Sequence, residues 1–322
     1  MPSRRAVLQS LALVPLLAAC GQKSAPTAGN ATVKLALDWV PEPEFGGFYA
    51  GRERGAYQRA GIELEILGGG AGVPVVQMVA TGRADFGTVG GAELISARTR
   101  GADVIPVFAT FQVFPQAIMA HASRGAKTLR EVLSSGTVAL EPGAPFTAFL
   151  RKKYADVKLN LVPYDGGVAR FLADKDFAQQ CFIASEPVAA QRKGSDPQVF
   201  RFADEGFNPY ATVVVTRRAL WNEHPERVRA FARASREGWR AYLDDPKAAN
   251  QVMAKLNPAL DAETWAAAAE AQKALIETAE TGKDKLGAMS RERWETLGKQ
   301  LVEIGVISAA PKVEEYLVAI GD

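Results

Sequence analysis

Short strand-like runs alternate with helix-like runs from Val33 to Thr216, and that order restricts the fold more than any other feature. Runs of strand length, apolar or alternating, fall at 33–37, 62–67, 84–88 and 104–110, with helix-like stretches at 47–60, 74–81 and 92–100 between them. This βαβαβ order predicts a parallel sheet covered by helices. The alternation continues with strands predicted at 117–120, 137–140, 159–162, 181–184, 199–202 and 211–216, and helices at 128–134, 146–154, 167–173 and 187–192. Beyond Arg218 the pattern turns helical, at 225–243, 246–256, 262–280, 290–304 and 312–320. Asp245, Asp261 and Ser290 stand where helix N-caps belong, and Asp165 is read as another.

An α/β stretch with a helical tail, in 322 residues, has room for two cores. Two extended stretches, near 111–116 and 207–210, read as crossings between lobes. They divide the chain into a first lobe of 31–114 with 211–322 and a second lobe of 115–210, with a hinged cleft between them. Such clefts are common small-molecule sites, and hinge closure is a common way to hold the ligand.

Residues 1–19 read as a targeting segment. Arg4 and Arg5 form a positive start, and the apolar stretch to Leu17 falls short of the roughly 20 residues that span a bilayer. It ends in Leu17-Ala18-Ala19-Cys20, which resembles a bacterial lipobox with Cys20 as the lipidated residue; a plain signal peptide is the alternative. The arginine pair also fits a twin-arginine export signal. The stretch 20–30 is a polar linker, suited to hold a domain off a membrane on the periplasmic side of the cell envelope.

Removing residues 1–19, which hold two arginines and no acid, takes the formal charge from +2 to zero, so no basic footprint for nucleic acid remains. If Cys20 carries lipid, Cys181 has no disulfide partner and reads as a small buried hydrophobe. His121 and His224 are the only histidines, so no metal site is expected. The glycine run 68–72 fails the G-x-G-x-x-G pattern, and the chain has no Walker A, G-x-S-x-G or H-E-x-x-H. No cofactor is expected, and the glycine run reads as a flexible loop at the cleft rim.

The most informative stretch is 37–50, Leu-Asp-Trp-Val-Pro-Glu-Pro-Glu-Phe-Gly-Gly-Phe-Tyr-Ala, where a strand ends and an irregular loop opens a helix. Ligand sites of open α/β sheets lie just beyond the carboxyl ends of strands. Trp39 can stack on a flat ligand there, or simply cover the sheet end.

Asp38-Trp39-x-Pro41 followed by Gly47-x-Tyr49 resembles the opening of the thiamine-precursor (pyrimidine) binding family of ABC importers. Ala84-Asp85-Phe86-Gly87-Thr88-Val89, Ser185-Glu186-Pro187 and Asn208-Pro209-Tyr210 resemble later segments of that family, so the likeness spans about 33–260. It implies a type II periplasmic-binding fold: α/β, two lobes, a hinged cleft and a helical C-terminal tail. It also implies an aromatic sandwich and a carboxylate around an aminopyrimidine, with Trp39 and Tyr49 as the aromatics and Glu186 as the carboxylate. The family usually has Asn and His where this chain has Glu42 and Phe45.

The candidate ligand set is therefore Asp38, Trp39, Glu42, Phe45, Tyr49, Phe146, Glu186 and Tyr210. Glu42 or Glu44 can meet an amino-bearing ligand, or stand as solvated loop carboxylates. The implied role is a monomeric solute-binding protein that hands a small molecule to an ABC permease and its ATPase, and not an enzyme. A sulfonate, nitrate, another vitamin or an aromatic acid is the alternative ligand class; a pyrimidine synthase and a sensor module are further alternatives.

Overall fold

The computed structural model describes residues 30–320 except 280 and 283. The targeting segment, Cys20 and the linker up to residue 29 lie outside the described residues.

The chain forms two domains, each built on a five-stranded mixed sheet with helices around it. In the first, β1 (Ala31–Ala36) leads through a 3-10 turn (Pro43–Phe45) to α1 (Gly46–Glu53) and α2 (Ala56–Arg59). Then come β2 (Ile62–Leu67), α3 (Val75–Ala80), β3 (Phe86–Val89), α4 (Gly91–Thr99) and β4 (Val104–Phe111). The second domain runs β5 (Gln116–His121), α5 (Leu129–Leu133), β6 (Thr137–Leu140), α6 (Pro145–Lys153), β7 (Leu161–Pro163), α7 (Ala169–Ala173), β8 (Phe177–Phe182), α8 (Glu186–Arg192) and β9 (Pro197–Arg201). The chain then returns with β10 (Ala211–Arg217) and ends in α9 (Arg218–Glu223), α10 (Pro225–Asp244), α11 (Lys247–Leu256), α12 (Ala262–Ala271), α13 (Lys273–Ile276) and α14 (Arg291–Glu303).

The sheet orders are β2-β1-β3-β10-β4 and β7-β6-β8-β5-β9. The sheets are mixed rather than parallel. β1 pairs in parallel with β2 and β3, but β10 is antiparallel to both β3 and β4. Likewise β5 is antiparallel to β8 and β9, while β6 is parallel to β7 and β8. The reason is connectivity. A strand that arrives from the other domain starts at the edge where its neighbours end, so it must run against them.

Other differences from the sequence pattern are local. The predicted helix at 47–60 is broken because Gly55 takes a left-handed φ of 72°, which divides it into α1 and α2. β8 lies earlier than the predicted 181–184 run, because Phe177, Ala178 and Gln179 are the residues that pair with β6. The predicted helix at 312–320 is only a 3-10 turn, Val313–Glu315. The Glu315 carbonyl accepts from the guanidinium groups of Arg98 and Arg218, so it is not free to continue a helix. Asp261 and Ser290 do cap α12 and α14, accepting from Thr264 N–H at 2.7 Å and Arg293 N–H at 3.3 Å. Asp245 caps no helix but accepts from Lys247 N–H at 3.2 Å, and the N-cap position of α7 falls on Val168 rather than Asp165.

The C-terminal helices complete the first domain. α10 crosses α1 closely: a Cβ on Gly47 would lie 2.1 Å from the Trp239 ring, and one on Gly238 would lie 2.3 Å from Gly47 O. Trp239, Trp265 and Trp294 are almost wholly buried, and burying a large apolar side chain is worth about 1.5–3 kcal/mol. The outer edge of β4 is covered rather than exposed: Ala109 N–H donates to Gly287 O, and Gln112 and Val113 N–H both donate to Leu275 O.

Candidate functional site

The first wall of the cleft is the loop after β1. Leu37 N–H still bonds Leu67 O at 3.0 Å, and then the chain leaves the sheet. Asp38 N–H donates to Thr88 Oγ1 at 3.0 Å, and the buried Thr88 hydroxyl donates back to Asp38 Oδ1. The glycine run shapes this loop by leaving room for it. A Cβ on Gly69 would stand 2.1 Å from Leu37 O and 2.6 Å from Trp39 O, so the run is a close backbone approach rather than only a loose rim.

Farther along, Asn257 Nδ2 donates to Pro41 O at 3.1 Å and Gln272 Nε2 donates to Pro43 O at 2.8 Å. Phe45 N–H closes the 3-10 turn onto Glu42 O at 3.0 Å. The loop backbone is thus fixed from both sides, while the Trp39 side of it stays open: Trp39 is 44% exposed.

The second wall comes from β8, α8 and the segment after β7. Glu186 is the first residue of α8. Its Oε1 accepts from Tyr164 O–H at 2.6 Å and its Oε2 from Phe182 N–H at 2.7 Å. Phe182 meets Phe111, the last residue of β4, edge to face at 5.3 Å, so the two domains touch at the base of the cleft.

Electrostatics ties the walls together. Burial raises the Glu42 carboxyl to about 7, with the Glu186 charge as the next cause, against a lowering hydrogen bond from Trp39. Glu44 is raised well above the ordinary range, first by burial and then by Asp38, Glu42 and Glu186. Burial is also the leading cause of the upward shifts of Asp38, Glu186 and Glu93, and the Asp38 charge adds to that of Glu93. The charges that act on Glu42 and Glu44 are all carboxylates. First-domain acids therefore face a second-domain acid, at a place that favours protons or an incoming positive group. Among the described residues, no group of three or more of these ligand types could hold a metal ion.

The structure brings Asp38, Trp39, Glu42 and Glu186 to this cleft. It buries the other candidates in packing contacts of their own. Phe45 and Tyr49 are buried in the first-domain core, with Arg52 over the Tyr49 ring at 5.1 Å. Phe146 stacks on Phe202 at 5.1 Å, and Tyr210 lies under Arg293 at 3.9 Å with its hydroxyl accepting from Ser290 N–H. The cleft adds Glu44 and Tyr164. The Pro-Glu-Pro-Glu repeat signals Glu44, but Tyr164 lies 22 residues from Glu186 and no local pattern pairs them. Cys181 is free and buried, as its apolar neighbours suggest.

Residues 42–249 match the family described as NMT1/THI5 like. The riboflavin-binding protein RibY of Chloroflexus aurantiacus is 27% identical over 271 residues, 76% of each chain. The formylaminopyrimidine-binding protein of Halalkalibacterium halodurans is 22% identical over 300 residues, 90% of each chain. Among solved structures, the periplasmic aliphatic sulphonate binding protein SsuA from Escherichia coli aligns with a TM-score of 0.68 at 14% identity, over 89% of this chain and 92% of that one. The desulfurization enzyme DSZB aligns with a TM-score of 0.62 at 14% identity, over 89% and 97%. Likeness at these identities establishes the fold, a two-domain periplasmic-binding fold, and not the ligand. The family match covers well over half of the sequence, and the chain belongs to the NMT1/THI5-like family.

Proposed function

We propose that this protein is a lipid-anchored solute-binding protein of an ABC importer, facing the periplasmic side of the cell envelope, that captures an amine-bearing nitrogen heterocycle between its domains. A thiamine-related pyrimidine precursor is the first candidate. The observation that carries this reading is the pairing of an exposed ring, Trp39, with two carboxyl groups, Glu42 and Glu44, whose proton affinity is raised by burial and further by Glu186 across the cleft. A flat ring stacks on Trp39, and its amino groups donate to Glu42 and Glu44. A carboxylate accepts from exocyclic amines in the same way when it reads cytosine. Glu186 faces the ligand from the second domain. Its oxygens already accept from Tyr164 O–H, Phe182 N–H and its own backbone N–H, and a carboxylate has about four acceptor positions, which leaves room for a ligand.

The two relatives named for what they bind, riboflavin and a formylaminopyrimidine, are named for flat nitrogen heterocycles, which supports a ring on Trp39, and the pyrimidine alone brings an amine. A sulfonate, nitrate or aromatic acid would bring negative charge to a place already crowded with it. The enzyme reading has little chemical support. The Cys181 thiol is pushed well up by burial and then by Glu186, which keeps it a poor nucleophile.

In this reading the ligand binds the Trp39 wall of the open protein, the second domain closes over it, and the closed monomer docks on the permease with its ATPase. The lipid on Cys20 keeps the protein near the membrane.

A thermal-shift screen confirmed by calorimetry tests the reading. The panel holds hydroxymethyl- and formylaminomethyl-pyrimidines, thiamine, riboflavin, taurine, alkanesulfonates, nitrate and aromatic acids. A ligand at 100 times its Kd adds about 2.7 kcal/mol of stability. A pyrimidine hit supports the amine-heterocycle class; a flavin hit keeps a flat nitrogen heterocycle on Trp39 but removes the amine contacts to Glu42 and Glu44. A hit confined to sulfonates, nitrate or carboxylates overturns it.

A further inference from the structure

We infer that Arg293 is the pivot of the interdomain hinge: it clips both crossing segments to helix α14, so the second domain swings on a fixed axle rather than on two independent strands.

The crossings run from Phe111 to Gln116 and from Arg201 to Ala211. Arg293 sits in the first turn of α14, whose N-cap Ser290 also donates its own N–H to the Tyr210 hydroxyl at 2.8 Å. On the first crossing, Arg293 Nη1 donates to Gln112 O at 2.6 Å. On the second, its Nε donates to Asn208 O at 2.8 Å, and Nη2 donates to Pro209 O at 3.0 Å and Asn208 Oδ1 at 3.1 Å. The guanidinium plane covers the Tyr210 ring at 3.9 Å. Asn208 Oδ1 also accepts from Phe114 N–H at 2.8 Å, which ties the crossings to each other.

The acceptors on the two crossings are neutral, and most are main-chain carbonyls. The fork therefore reads backbone position, which a planar guanidinium with divergent donors does and an ammonium does not. The second crossing is also held against local preference: Thr212, just beyond it, has a φ of 47°, unfavourable for a β-branched residue.

The far half of α14 has a different task. Gln300 Nε2 donates to Gly206 O at 2.8 Å, and Lys152 Nζ donates to Glu303 O at 2.7 Å. The first contact reaches the second crossing at Gly206 and the second reaches α6 of the second domain, and both are exposed. A groove of about 580 Å³, lined in part by Gln112, Asn208, Arg293 and Gln300, lies beside the clip. One end of α14 is thus anchored at the hinge by a part-buried fork of several bonds, and the other by single exposed ones.

The inference rests on reading the molecule as a two-domain binding protein, but unliganded protein tests it without reference to any solute. The experiment is hydrogen–deuterium exchange by mass spectrometry on the unliganded full-length protein, comparing wild type, Arg293→Lys and Asn208→Ala, with small-angle X-ray scattering alongside. Arg293→Lys keeps the charge and loses the fork. Losing two or more of these hydrogen bonds speeds exchange about tenfold or more at 112–116 and 208–213. Peptides in β1, β2, β6 and β7 keep their rates, and the radius of gyration rises. Asn208→Ala gives a smaller change at the same peptides. Unchanged exchange at the crossings overturns the pivot. A uniform rise across all peptides overturns it too, by showing general destabilisation instead.

Discussion

The two walls of the cleft use the same residue types and leave different things undone. On the second wall, Glu186 has a hydroxyl on one oxygen and a backbone N–H on the other. On the first wall, Glu42 and Glu44 are raised by burial and then by neighbouring carboxylates, and Trp39, hydrogen-bonded to Glu42, still stands half-open beside them. The fixed backbone of the first wall explains how this is sustained. Thr88, Gly69, Asn257 and Gln272 hold the loop, so its shape does not depend on Glu42 or Glu44 being paired with a cation. In the proposed reading, this difference puts binding on the first wall and closure on the second.

The strongest way to break that division is Trp39→Ala. Stacking of a flat ring on an aromatic is worth about 1–3 kcal/mol, so affinity for the pyrimidine or flavin found in the screen falls about tenfold or more by calorimetry. The melting temperature stays nearly unchanged, because the ring is exposed. Unchanged affinity removes the stacking role.

Glu186→Ala should do the reverse. It strips the Tyr164 hydroxyl and Phe182 N–H of their acceptor, which costs about 1–3 kcal/mol in urea unfolding. Affinity falls less than for Trp39→Ala. A larger loss of affinity than of stability would make the second wall the principal binding surface. The isosteric Glu186→Gln weakens an amino-bearing ligand and leaves an anionic one unaffected.

The carboxyl group of Glu42 gives a pH test. Its pKa is raised from 4.5 to about 7 in the folded state. A raised pKa means the folded protein holds the proton more tightly than the unfolded chain does. That stabilisation is complete below about pH 4.5 and is lost as pH rises through about 7. Glu42→Gln should flatten this part of the stability–pH curve. Over the same range an amine ligand binds wild type more tightly as Glu42 ionises, and calorimetry at several pH values reads this directly.

The smallest effect belongs to the cleft mouth. Arg192, at the end of α8, pairs with Glu263 and lies 3.8 Å from Asp261 at the start of α12. All three are exposed, so Arg192→Ala should change ligand affinity by about twofold to fivefold, and the difference should vanish in high salt. A large, salt-independent effect would move the electrostatic weight from the interior of the cleft to its rim.

Much of the fold was legible because it rests on local pattern. Thr137–Leu140 falls where apolar alternation puts it, and Asp261 and Ser290 cap helices as their side chains favour. Helix interruptions were harder to read. Gly55 breaks one helix through a backbone angle, and the turn at Val313–Glu315 is decided by two arginines far away in sequence. At the site, Asp38, Trp39 and Glu42 were legible because a strand end opens into a Pro- and Glu-rich loop. Phe45 and Tyr49 share that motif, yet one face of a helix start must pack inward on the core, and theirs does. Tyr210 was legible as part of a crossing but not as the ring beneath Arg293, 83 positions farther on.

The sequence by itself determined the alternation of elements, the two-domain α/β plan and the irregular Pro- and Glu-rich loop that leaves the end of the first strand. These depend on hydrophobic period, caps and turn residues, which act over a few positions. Only the tertiary structure decided which strands run antiparallel, which aromatics stay open, and that acids from both domains share one cleft. Those outcomes depend on where the chain crosses between domains, and on burial and charge summed over residues that are neighbours only in space.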